Sequence, residues 1–166
     1  MLKKLLIAIL AACTLNAAAA EKKPPPVEVY VPHLCLACLD WAEHLRQNGF
    51  PKVTVKEVAD LPALKKKLKV PEDLESVHTA VVAGYFVEGH VPAEDIHELL
   101  KEKPQAYGIA VPGLPRGAPG REFSMPTCET GCTMLDSQTA EREVRREMFN
   151  TMVVYKDGRV KVWARH

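Results

Sequence analysis

The chain lacks most of what announces a chemistry. Its 22 Lys and Arg are balanced by 21 Asp and Glu for a formal net charge of +1, so it has no electrostatic excess with which to hold nucleic acid. No phosphate-cradling glycine loop, serine triad or paired-carboxylate signature is present, and no internal repeat. Crossing a bilayer takes roughly 20 predominantly apolar residues, and no run here reaches that, so no membrane span is expected. Cysteine is scarce too, with five in 166 residues. Their placement is informative.

Lys3 and Lys4 precede an apolar run from Leu5 to Ala12, and Ala18-Ala19-Ala20 precedes Glu21. This is the layout of a cleavable secretory signal peptide over residues 1–20. Leu10-Ala11-Ala12-Cys13 also resembles a lipoprotein cleavage box, which would leave a lipid anchor on Cys13; the short apolar stretch before it ranks that reading second. Both readings place the protein in a bacterial periplasm. Cleavage after Ala20 removes Lys3 and Lys4 and leaves 20 basic residues against 21 acidic ones, which strengthens the exclusion of nucleic acid.

Residues 21–26 form a charged, proline-rich leader, and 27–166 suit one domain. Val27 to Val31 alternates like a strand, and a helix is expected from about Leu36 to Asn48, stopped by Asn48-Gly49 and Pro51. Val53 to Val58 reads as a second strand, followed by a short helix that Asp60 caps with Pro62 in its first turn. His78–Val82 and Tyr85–Glu88 flank Ala83-Gly84 as a tight hairpin, and a third helix opens at Pro92. From Pro104 to Pro126, nine of 23 residues are proline or glycine, so this stretch is expected to be ordered loop. A short charged helix over 139–148 and a closing hairpin over 151–166, turning at Lys156 to Arg159, complete the chain. The lysines at 65, 66, 67 and 69 read as a solvated helix face. The order β-α-β-α-β-β-α, with Cys-x-x-Cys between the first strand and first helix, is that of a modified thioredoxin-like α/β fold. To it are added a Pro/Gly-rich, cysteine-bearing loop and insert over 104–150 and the C-terminal hairpin.

Four cysteines lie beyond the leader, as Cys35-Leu-Ala-Cys38 and Cys128-Glu-Thr-Gly-Cys132. Either pair can close a disulfide or chelate a soft metal. Cys35 is placed at a helix N-terminus, where free amide groups and the dipole stabilise a thiolate, and Gly131 lets the second pair turn toward one point. If the pairs meet, one Zn(II) on four thiolates carries net charge −2, whereas four Cu(I) ions bridged by four thiolates are neutral and can be buried without leftover charge. That favours Cu(I). Met125, three residues before Cys128, is a candidate soft thioether ligand, ahead of Met134. His33, two residues from Cys35, and His78, at the start of a strand, are further candidate ligands; for each the plainer reading is a hydrogen-bonded or solvent-facing imidazole. That plainer reading is preferred for His90, His97 and His166, and His44 is placed on the outer face of the first helix.

The run Cys35-x-x-Cys38-x-x-Trp41-x-x-x-Leu45-x-x-x-Gly49-Phe50, with His78-Thr79-Ala80 and Gly84-Tyr85-x-Val87-Glu88-Gly89-His90-Val91-Pro92-Ala93, closely resembles the CopG-type periplasmic copper-resistance family. The likeness runs from about Val27 to Gly120 and resumes in the final hairpin ending Ala164-Arg165-His166. It implies a modified thioredoxin fold whose Cys-x-x-Cys and Cys-x-x-x-Cys pairs hold a thiolate-bridged copper cluster, as Cu(I) or mixed valence, with Cys35, Cys38, Cys128 and Cys132 in those roles. The expected partners are copper ions and other periplasmic copper-handling proteins. Many relatives read Cys-x-Cys-Cys at the first motif, and Ala37 stands in the third place here.

Two other functions compete with copper binding. A thiol-disulfide oxidoreductase would use Cys35 as attacking thiolate and Cys38 as resolving thiol; against it, no aromatic precedes Cys35, no proline separates the cysteines, and His78 stands where a cis-proline is usual. Two structural disulfides suit an exported protein, but loops of this size constrain the unfolded chain little.

Overall fold

The computed structural model describes residues 23–122 and 147–166. Strand β1 (Val27–Val31) buries Val27, Val29 and Val31 and leaves Glu28 and Tyr30 half-exposed, the period-two pattern of a strand with one face on a core. Helix α1 (Leu36–Gln47) buries Cys38, Trp41, Ala42 and Leu45, spaced i, i+3, i+4 and i+7 so that they share one face. Gly49 then takes a φ of +96°, and the Phe50 N–H returns to the Leu45 carbonyl to close the helix end. Strand β2 (Val53–Glu57) lies parallel to β1.

Helix α2 (Leu61–Leu68) is capped by Asp60, whose carboxylate accepts the Ala63 N–H at 2.9 Å. A 3-10 turn (Glu72–Leu74) leads to β3 (Thr79–Val82) and β4 (Tyr85–Glu88). Ala83 and Gly84, at φ 48° and 85°, both take the left-handed conformation that a two-residue hairpin of type I′ requires. Helix α3 (Ala93–Glu102) buries Ile96 and Leu99 and leads to β5 (Ala106–Ala110), parallel to β4. Strands β6 (Asn150–Tyr155) and β7 (Val160–Arg165) pair antiparallel about the expected turn. One mixed sheet results, in the order β2-β1-β3-β4-β5-β6-β7.

Two expectations are corrected. The stretch after Pro104 is not all loop, because Ala106–Ala110 is an interior strand of the sheet. Gly108, counted in the sequence as a loop signal, is there for contact: a Cβ on it would lie 2.1 Å from the Phe86 carbonyl oxygen. A glycine at a close backbone approach belongs inside a strand. Lys65 is also not solvated. It is 3% exposed and bonds the buried Glu88, while its neighbours Lys66, Lys67 and Lys69 remain on the outer side of α2.

Candidate metal centre

The first cysteine pair stands where its sequence position puts it. Cys35 is the N-cap of α1, with extended backbone and no side-chain cap of its own, and Cys38 follows in the first turn. The two form a disulfide with a Cα–Cα distance of 5.3 Å, so both sulfurs point from the same helix end. Cys38 is fully buried and Cys35 partly exposed. Reduced, the outer sulfur meets solvent at the positive end of a helix, which favours its thiolate. Leu34, Leu36 and Leu39 stand exposed around it.

The histidines divide into two kinds. His33 is exposed, and its Nδ1–H donates to Glu57 Oε2 at 3.1 Å across the carboxyl ends of β1 and β2. His78 is completely buried, tilted against Trp41 with ring centroids 4.5 Å apart, and neither of its ring nitrogens has a hydrogen-bond partner among the described residues. Burial holds it well below the ordinary imidazole range, and His90 and Lys65 push the same way. His90 meets His78 edge-on at 4.9 Å and donates Nδ1–H to the Pro119 carbonyl at 2.8 Å. Burial pulls it down to about 4 against that carbonyl's opposing effect, and its Nε2 has no partner among the described residues. His90 is therefore the hydrogen-bonded imidazole of the plainer reading, buried rather than solvent-facing. His44 is half-buried rather than outward, its Nε2 accepting the Ala93 N–H at the start of α3.

The approach to the second cysteine pair is pinned against the first. Trp41 Nε1–H donates to the Val91 carbonyl at 2.8 Å, and His90 holds Pro119. The next residue, Gly120, packs so tightly on α1 that a Cβ would lie 2.6 Å from the Trp41 backbone nitrogen and 3.0 Å from the Ala37 carbonyl oxygen. Glu147, where the described chain resumes, pairs with Arg116 at 2.8 Å. Cys13, Met125, Cys128, Cys132 and Met134 lie outside the described residues, as does most of the charged segment over 139–148. Among the described residues no three His, Cys, Asp or Glu side chains are gathered so as to hold a metal ion. Two members of this corner had no local signal in the sequence: Glu57, which reaches His33 only through the pairing of β2 with β1, and Gly120, hidden among loop glycines.

A family model described as a protein of unknown function, DUF411, matches residues 74–121. No curated protein matches the chain. Two solved structures do, described as "Copper resistance protein copG- Form 1" and "Form 2", at 37% and 36% identity. Each alignment covers 86% of this chain and 98% of the solved one, with TM-scores of 0.69 and 0.70. Among the described residues no helix is long and apolar enough to cross a membrane.

Proposed function

This chain belongs to the CopG copper-resistance family, and we propose that it is an exported protein that holds Cu(I) on Cys35, Cys38, Cys128 and Cys132. Its element order and the Cys-x-x-Cys at the mouth of α1 suit a thioredoxin-like arrangement. The signal peptide over 1–20 sends it to the periplasm, with lipidation at Cys13 as the lesser alternative. Copper is the cargo, held as a thiolate-bridged cluster with Met125 as a further soft donor, and Ala37 leaves the first motif with two sulfurs.

The observation that carries this reading is the seat of Gly120 on the Ala37–Trp41 backbone. From there Cys128 is eight residues on, and eight residues of extended chain reach at most about 29 Å. A chain of that length allows the second pair to reach the first, which by itself has too few neighbouring donors for a metal site among the described residues. Two reduced cysteines can also convert copper: two Cu(II) ions each take one electron, the thiols become a disulfide, and two protons leave. Oxidised copper is itself the oxidant.

Anaerobic titration of the reduced protein with Cu(I), followed by desalting and metal analysis, should retain more than one copper per chain. Either Cys35→Ser or Cys128→Ser should lower that number. Retention of no copper, or indifference to Cys128→Ser, sinks the shared centre. A second reading, a thiol-disulfide oxidoreductase, is favoured by the disulfide at the α1 N-cap with its outer sulfur partly exposed. Cys35-dependent reduction of insulin with no retained copper would put it first.

A further inference from the structure

The pair His33 and Glu57 has no evident structural task. Their side chains are 77% and 61% exposed, and an ion pair in such a place adds little to stability. What the contact does fix is a tautomer. A carboxylate only accepts, so the contact keeps a proton on Nδ1, and in the neutral ring the lone pair then sits on Nε2. A metal-binding imidazole is commonly arranged this way, its second nitrogen oriented by a carboxylate.

Position gives this arrangement a target. Val31 and Glu57 are register partners at the carboxyl ends of two parallel strands, where α/β sheets open toward their ligands. His33 lies two residues beyond Val31 and Cys35 two beyond that. Leu34 between them takes a left-handed φ of 57° although it is not glycine and is 78% exposed, so the turn is held in an unfavourable conformation with no burial to offset it. Cys38 is sealed in the core. Copper arriving from solvent meets this exposed turn before it can meet the inner sulfur.

We propose that His33 is the outer ligand through which copper passes to and from Cys35, and that Glu57 is its positioning residue. This rests on the copper-binding reading above. Imidazole nitrogen binds copper yet holds Cu(I) less firmly than thiolate does. An exposed nitrogen donor beside a thiolate therefore accepts the ion and hands it on. No electron moves in the transfer; a nitrogen–copper bond is exchanged for a sulfur–copper bond.

The test is stopped-flow transfer of Cu(I) from a bicinchoninate complex to the reduced full chain, with retained copper counted at the end. His33→Ala and Glu57→Leu should each slow the uptake about tenfold, the usual scale for lost orientation of a metal ligand, with the final copper count unchanged. Glu57→Gln should stay near the wild-type rate, since its amide oxygen still accepts from Nδ1–H. Long-range nitrogen-15 NMR should find His33 protonated at Nδ1 in the wild type and the Gln variant, and as a tautomer mixture in the Leu variant. Wild-type uptake rates in His33→Ala with full copper retention overturn the outer ligand alone. An equal rate in the Leu and Gln variants overturns the positioning by Glu57. A wild type that retains no copper overturns the copper-binding reading and this inference with it.

Discussion

Two polar clusters sit at opposite extremes of solvent access in this domain. Around Glu88 the groups are buried and satisfied: Oε1 accepts from Lys65 Nζ and from the Ser76 N–H at 2.7 Å, and Oε2 accepts from the Thr79 hydroxyl at 2.6 Å. At the α1 corner, His33 and Glu57 are exposed, three leucines face solvent and Leu34 is strained. Polar groups that hold a fold must be fully partnered, since an unmet charge in the core is expensive. Groups that meet a ligand are left accessible, and their surroundings accept strain. His78 and His90 belong to neither set, being buried like Glu88 but with three ring nitrogens that have no partner among the described residues.

The largest effect that separates the two regions is expected at Glu88. Glu88→Ala strands Lys65 beside an uncompensated pocket, and breaking a buried pair from one side costs about 3–5 kcal/mol. Urea unfolding should record that loss while the uptake of copper per folded chain stays unchanged. Replacing both partners, Lys65→Met with Glu88→Leu, should recover only part of it, because the apolar pair removes both charges while the Ser76 N–H and the Thr79 hydroxyl lose their acceptor. A single-variant loss below about 1 kcal/mol would mean that the buried pair is no more structural than the exposed one.

The buried imidazoles supply the next effect, through pH. His90 is held at about 4 by burial, whereas the unfolded chain takes up its proton near the ordinary value of about 6.5. Between those values the unfolded state binds more protons, so stability is full above pH ~6.5 and falls as pH drops toward about 4. The full shift corresponds to about 3 kcal/mol. His78 and His44, also lowered, act with the same sign. Glu88 and Asp95, raised by burial, act oppositely in acid and temper the slope. His90→Gln keeps a donor for the Pro119 carbonyl and removes the titration. Its stability should vary less steeply over that pH window than the wild type's, and parallel curves would show that His90 is not the group responsible.

How much could be read in advance follows the same division. Local signals were legible: the alternation of β1, the Asp60 cap, the Ala83-Gly84 turn, and Cys35 at a helix start all depend on neighbours in sequence. Partners across the sheet were not. Lys65 is indistinguishable from Lys66 in the sequence and differs only in facing Glu88, twenty-three residues away. Gly108 reads as a loop residue until the Phe86 carbonyl is set against it. The first cysteine pair was legible for its local spacing, whereas the Glu57 contact that orients His33 comes from strand pairing. The second pair was legible as spacing alone and lies outside the described residues.

The smallest effect probes the strain at the exposed corner. Glycine in place of Leu34 removes a left-handed penalty of roughly 1–2 kcal/mol, but it also gives the unfolded chain more freedom, which costs about 0.5–1 kcal/mol. Leu34 is 78% exposed, so little burial is lost. The net expectation for Leu34→Gly is a gain of a few tenths to about 1 kcal/mol, read as a higher midpoint in urea. The same change frees the turn between His33 and Cys35 and should weaken the registration of the two donors, so copper uptake should slow as stability rises. A variant that is less stable than the wild type would place Leu34 in an unstrained turn. The corner would then differ from the Glu88 cluster in exposure alone.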